Sequence, residues 1–317
     1  MIPSSRTPPP GRAVAWAARV LGGDVIAIDG LQMGGMPWRV AVASVSAGPR
    51  HGILRLGEPD DLLERQRIAT EAAALAVVND HGIPAPQLLA SDPDGSEARQ
   101  PALLVSVCPG TSRIPRVSSV VRLERFGAAA AALHDIELEA TEHLPVRHRP
   151  IEILDFSTGR DTSPSAPLLI AAEEMLAECE PPIGRSVLLH SDLWQGNTLW
   201  RDEKLTAILD WDCAGVGHPG IDLASARLDA MLMFGSQAAD AVLRSYQQHS
   251  RDRPSKLRDL AYFDIIAALT TPPDMQLWHD LAAGQGRPDL SAEVLVARRH
   301  AFLQRAIYRL GRVEEIS

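Results

Sequence analysis

After a proline-rich start, apolar positions from about Arg12 to Leu21 recur at helical spacing. Short β-type runs follow at Asp24–Ile28, Trp38–Ser46 and Gly52–Leu56, divided by Gly- and Pro-containing turns, and they predict an antiparallel sheet. Asp60 or Asp61 can cap a helix in which Leu62, Leu63, Ile68, Ala72, Leu75 and Val78 share a period, and Gly82-Ile83-Pro84 ends it. Two more strands are predicted at Gln87–Ala90 and Ala102–Val107. Pro109-Gly110 breaks this pattern, and the rest reads as helices at Val117–His134, Leu168–Glu178, Ile221–Phe234, Ala238–His249, Lys256–Leu269 and Ala292–Leu310. One strand-loop-strand island, Ser186–Leu209, interrupts them.

This order predicts an α+β protein with a small antiparallel β-rich lobe, residues 1–105, and a larger, mostly helical lobe, residues 106–317. The hinge falls at about residues 105–110, and the junction predicts a cleft, where ligands usually sit. No internal repeat is visible.

Composition narrows the function classes. With 317 residues, 45% hydrophobic and 22% charged, the chain can bury a core without disulfides. Its 40 acidic residues exceed its 31 basic ones, and aromatics make up 4%, which disfavours nucleic acid and anionic membranes as partners. Cys108, Cys179 and Cys213 lie far apart without metal-ligand spacing, as expected of reduced thiols buried as small hydrophobes. The N-terminal residues lack the apolar stretch of a signal peptide, and no apolar run reaches about 18 residues. A cytoplasmic protein is expected.

The chemistry concentrates in Leu188-Leu-His-Ser-Asp-Leu-Trp-Gln-Gly-Asn-Thr-Leu-Trp200 and Leu205-Thr-Ala-Ile-Leu-Asp-Trp-Asp212. Its polar positions read His190-x-Asp192-x4-Asn197, then Asp210 and Asp222. With only two asparagines in the chain, that motif arises by chance with a probability of roughly 0.005. Phosphoryl transfer from a metal-bound donor needs a group to accept the proton of the attacking hydroxyl and oxygen ligands for Mg²⁺. Asp192 can be the first, and Asn197 and Asp210, each at a turn next to a β segment, the second. His190 follows the apolar run Val187-Leu-Leu, where a buried imidazole would bond backbone or carboxylate and fix the loop. Asp212 is either a carboxylate beside the site or facing the substrate, or a solvated turn residue. Asp222 is expected to cap a helix or anchor a loop.

These segments, with Gly217-His-Pro-Gly-Ile-Asp-Leu-Ala224, resemble the aminoglycoside phosphotransferase family, small-molecule kinases of protein-kinase-like fold. Glu71 followed by Gly82-Ile-Pro-Ala-Pro86 is similar to the family's glutamate on the N-lobe helix and its Pro-x-Pro. Leu103–Gly110 resembles the hinge, and Ala130–His134 the helix after it. The resemblance implies ATP or another nucleoside triphosphate with Mg²⁺, a catalytic Asp192, and metal ligands Asn197 and Asp210. It also implies adenine held by backbone near Ser106 and Val107, and a cation on the third strand paired with Glu71.

Two features depart from the family. Its usual glycine after the motif histidine is Ser191 here, and its usual lysine has no counterpart, since Lys204 and Lys256 are the only lysines. Arg55, sixteen residues before Glu71, is the cation at the matching place, and its planar fork differs from a lysine's point charge. The phosphate-covering loop is expected at Met33-Gly-Gly-Met-Pro37, where Gly34 and Gly35 would let backbone amides approach phosphate or would form a plain hairpin turn.

The expected acceptor is a small hydroxylated molecule. From Ala214 onward the chain carries twelve acidic and twelve basic residues, so charge gives a cationic aminoglycoside no preference over a neutral metabolite or a macrolide-like compound. Two other classes compete. One is a non-catalytic, pseudokinase-like nucleotide-binding module in which Arg55 and the glycine loop bind ATP poorly, against which stands the presence of all three of Asp192, Asn197 and Asp210. The other is a metal-dependent hydrolase using His190, Asp192 and Asp210, against which stands the lack of further histidines spaced as ligands near the motif.

Overall fold

Helix α1 (Gly11–Leu21) sets Ala13, Trp16, Ala17 and Leu21 on one buried face. It ends at Gly22, whose left-handed backbone (φ 71°) lets its N–H bond Ala18 O at 2.9 Å. The structure is a computed structural model describing residues 8–31, 37–43, 48–157, 160, 166–251 and 257–314, and its chain divides into two units, Met1–Cys108 and Pro109–Ser317.

In the first unit, β1 (Asp24–Gly30), β2 (Trp38–Ala43), β3 (Arg50–Leu56), β4 (Leu88–Asp92) and β5 (Ala102–Ser106) form an antiparallel sheet in the order β1-β2-β3-β5-β4. The last three residues of the strand predicted to reach Ser46 lie outside the described residues. Trp16 and Leu21 pack on Trp38, Val40, Val42, Leu54 and Leu104, the core of this unit. Strand alternation then turns Arg55, next to Leu54, to the opposite face of β3. Between β3 and β4 runs α2 (Leu62–Asp80), capped by Asp61, whose carboxylate accepts from Leu63 N at 2.8 Å and Glu64 N at 3.3 Å. Such a cap is worth about 1 kcal/mol. Ile68, Ala72, Leu75 and Val78 are buried as their spacing predicts, whereas Leu62 and Leu63 are exposed.

The second unit contains α3 (Val120–Leu133), α4 (Ala166–Ala177), β6 (Val187–Leu189), β7 (Thr198–Arg201), β8 (Lys204–Ile208), β9 (Gly215–Gly217), α5 (Gly220–Phe234), α6 (Ser236–His249), α7 (Leu257–Leu269), α8 (Gln276–Gly284) and α9 (Ala292–Glu314). Its core joins Leu228, Met231 and Leu232 of α5, Ile265 of α7, and Phe302 and Leu303 of α9. A Cβ on Gly127 would stand 2.6 Å from Val242 O, so this glycine lets α3 and α6 approach. Arg227 and Asp264, each 2% exposed, pair between α5 and α7.

Two elements depart from the sequence pattern. Helix α8 has Ala282 as its one buried residue, too weak a stripe to read from periodicity. Strand β9 holds two glycines and is extended because Leu189 pairs with Gly215 and Val187 with Gly217. The three cysteines are free, and only Cys213 is fully buried. Among the described residues, no helix is long and apolar enough to cross a membrane.

Candidate active site

The buried strand β6 delivers His190 and Ser191 onto one carboxylate. Asp222, in the first turn of α5, accepts from His190 N at 2.7 Å and Ser191 N at 2.8 Å. It is fully buried and anchors the loop, one of the two roles its position suggested. His134 Nε2 stands 3.5 Å from the same carboxylate, with its Nδ1 2.9 Å from the Tyr246 hydroxyl.

His190 is buried, as predicted, and its two ring nitrogens have different tasks. Nδ1 accepts the Asp192 N–H at 3.2 Å, so the ring proton sits on Nε2, which donates to Leu209 O at 2.8 Å. The imidazole thus ties the start of the loop to the residue before Asp210, and its ring leans on Trp211 at 4.5 Å between centroids.

Asn197 closes the loop. Its side-chain amide donates to Asp192 O at 3.0 Å and to the Asp192 carboxylate at 2.9 Å, while its own backbone oxygen accepts from Leu209 N at 2.8 Å. Asp192, Asn197 and the end of β8 are therefore one bonded set. A Cβ on Gly196 would lie 2.1 Å from Trp194 Cη2, so the glycine lets that indole lie across the turn. Burial, with the nearby Asp210 charge, pushes the Asp192 carboxyl well above the usual carboxylate range, against the bond from Asn197.

Two residues here hold left-handed backbone, Ser191 at φ 64° and Asp210 at φ 66°. The first explains why glycine suits the position after the motif histidine. Asp212 lies in the short helical turn Trp211–Cys213 and is 5% exposed, which removes the solvated-turn reading.

Among the described residues, no three His, Cys, Asp or Glu side chains group as a metal cage. Asn197 and Asp210 offer one amide and one carboxylate oxygen, hard donors that fit a small divalent cation sharing phosphate and water oxygens. In the first unit, Arg55 Nη1 bonds Glu71 Oε2 at 2.5 Å, the two side chains being 12% and 11% exposed. Ser106 ends β5, donating its N–H to Gln87 O and accepting Gln87 N–H on its hydroxyl, both at 2.9 Å, and Val107 follows it, exposed. Gly34 and Gly35 lie outside the described residues. Sequence reasoning missed the residues behind the loop, Arg122, Gln195 and Asp229, which sit apart in the chain and share no local motif.

An antiparallel β-rich unit followed by a mostly helical unit is the protein-kinase-like fold. Residues 40–260 match the model of the phosphotransferase enzyme family, and the chain belongs to that family. It is accordingly a small-molecule phosphotransferase with an alcohol group as acceptor. Macrolide 2'-phosphotransferase from Brachybacterium faecium is similar, with 23% identity and a TM-score of 0.56 over 90% of this chain and 96% of that one. A microcompartment-associated aminopropanol kinase shares 17% identity with a TM-score of 0.58, over 94% and 98% of the two chains. An amicoumacin kinase in complex with AMP-PNP, Ca²⁺ and amicoumacin shares 13% identity with a TM-score of 0.57, over 93% and 94%. No curated protein matches the chain.

Proposed function

We propose that this protein moves the γ-phosphoryl group of ATP to a hydroxyl of a small molecule, with Asp192 as the catalytic base. The observation that carries the reading is the hydrogen-bonded set of Asp192, Asn197 and Leu209, with Asp210 next in the chain. Asp192 takes the proton of the acceptor hydroxyl as its oxygen bonds the γ-phosphorus, and the bond from that phosphorus to the β-γ bridging oxygen breaks to release ADP. The orientation of the Asp192 carboxylate comes from the Asn197 amide and from the Asp192 N–H held by His190.

Asn197, through its side-chain oxygen, and Asp210 would hold Mg²⁺, which supplies positive charge to the phosphate oxygens when bound. Arg55, aimed by Glu71, contacts the phosphates, a forked guanidinium serving where relatives use lysine. Backbone at Ser106 and Val107 reads the adenine edge: the Ser106 hydroxyl takes the Gln87 N–H in place of the Ser106 carbonyl.

The acceptor is a hydroxylated small molecule. The similar structures are named for a macrolide, an aminopropanol and amicoumacin, and the equal count of acidic and basic residues beyond Ala214 favours neither a cationic nor an anionic compound. A panel of hydroxylated compounds with ATP and Mg²⁺, read by ADP release and a phosphoester product, tests the reading. ADP released in step with product on one compound class supports it, and nucleotide binding without any acceptor-dependent ADP across the panel contradicts it.

A further inference from the structure

Helix α5 touches the loop at two points, not one. Asp222 holds its front, the N–H groups of His190 and Ser191. Seven residues on, two turns and about 10 Å along the same helix face, Asp229 holds its rear: Asp229 Oδ2 accepts from Gln195 N at 3.1 Å. Gln195 is fully buried and bonded in three directions. Its side-chain oxygen accepts from Arg122 Nε at 2.7 Å, and its carbonyl accepts from the Thr198 hydroxyl at 2.6 Å. Trp200 Nε1 donates to that hydroxyl at 2.7 Å, and the Arg122 guanidinium lies 4.2 Å from the centre of the Trp200 indole. The ring of contacts closes around Gln195–Asn197, the turn that carries Asn197.

Burial makes these contacts matter. Arg122 is 7% exposed and Asp229 6%, so the bonds they make to Gln195 lie away from water, where leaving a polar group unpaired is costly. The two charges come from different helices, α3 and α5, and both act on one neutral residue. Gln195 therefore cannot shift toward either helix without losing a bond to the other, and Asn197, two residues on, has its backbone position set by that restraint.

We propose that Arg122 and Asp229 are positioning residues for phosphoryl transfer: from two helices they fix Gln195, and through it they set the Asn197 side chain for the metal–nucleotide complex. This rests on the reading that Asn197 holds the metal. Neither residue touches substrate.

Mn²⁺ binding in the presence of ADP, read by loss of the free-ion electron paramagnetic resonance signal, makes the test without turnover. Circular dichroism checks the fold of each variant. Asp229→Ala is expected to weaken Mn²⁺ by about tenfold, and in any case by more than about threefold, as removal of a ligand's supporting bond does. Metal-free ADP should bind as in the wild type. Asp229→Asn, whose amide oxygen can still accept the Gln195 N–H, should recover most of the loss. Folded Asp229→Ala with a smaller loss than that overturns the proposal. If Asp229→Ala does not fold, Gln195→Met removes the Arg122 bond and leaves every charge in place; weaker Mn²⁺ binding is expected, and wild-type binding overturns the proposal. Asn197→Ala, run in parallel, separates the two readings. Should it too leave Mn²⁺ affinity unmoved, the metal assignment fails. Should it alone weaken Mn²⁺, only the positioning role fails.

Discussion

Asn197 gives its side-chain amide to Asp192 at two places, the backbone oxygen at 3.0 Å and the carboxylate at 2.9 Å. With its nitrogen so engaged, its oxygen is the atom left to face a cation, and one residue orients the proposed base while offering a metal ligand. Asp210→Ala is therefore expected to abolish the Mg²⁺ dependence of nucleotide binding, because it removes the one carboxylate of the pair. Asn197→Ala should weaken it less. Titration calorimetry with and without Mg²⁺ measures both, and an unchanged Mg²⁺ dependence in Asp210→Ala places the metal elsewhere.

The ion pair of Arg55 with Glu71 leads to a double-mutant cycle. Arg55→Met or Glu71→Gln should weaken ATP more than adenosine, since only the phosphates attract the guanidinium. The double variant should cost less than the sum of the singles, with a coupling of about 0.5–3 kcal/mol for groups in one network. Equal losses for ATP and adenosine would mean that the pair holds α2 to the sheet and nothing more.

Ser191 combines a left-handed backbone, φ 64°, with a buried hydroxyl that has no hydrogen-bond partner among the described residues. Glycine removes both costs at the expense of a more flexible unfolded chain. Ser191→Gly should stabilise the protein by about 1 kcal/mol, read as a higher denaturant midpoint at unchanged slope. A lower midpoint would show that the hydroxyl finds a partner the loop needs.

Asp229 supplies a pH signature. Burial pushes its carboxyl up to about 7, against the Gln195 N–H bond and the charges of Arg122 and Arg287. The unfolded value lies near 4, so this group's contribution to stability is full below about pH 4 and is lost as the pH rises through about 7. The wild type should thus lose stability relative to Asp229→Asn between pH 4 and 7, and the difference should level off above. Urea midpoints for the two proteins across that range check it, and a difference independent of pH would place the wild-type carboxyl in the ordinary range.

Much of the fold was legible in the sequence where a local rule governs it. The cap at Asp61 and the stop at Gly82 are side-chain and backbone effects within a few residues, and the bounds of α2 followed from them. The His190–Asn197 loop was readable because its residues are close in sequence and rare in combination. Strand β9 was not, since its extended form comes from pairing with a strand 28 residues earlier. The pairing of Arg55 with Glu71 could be placed by position, but the hold of Arg122 and Asp229 on Gln195 spans 73 and 34 residues, and no periodicity encodes such contacts.

The most direct measurement is transfer by Asp192→Asn under conditions where nucleotide binding is followed separately. Asparagine keeps the shape and the place of the side chain and cannot take the proton. With an accepted hydroxyl compound, ATP and Mg²⁺, single-turnover formation of phosphoester and ADP should fall by about 10²–10⁴-fold, while calorimetry gives an ATP affinity close to that of the wild type. Near-wild-type transfer by Asp192→Asn contradicts its role as base, and with it the mechanism built on this loop.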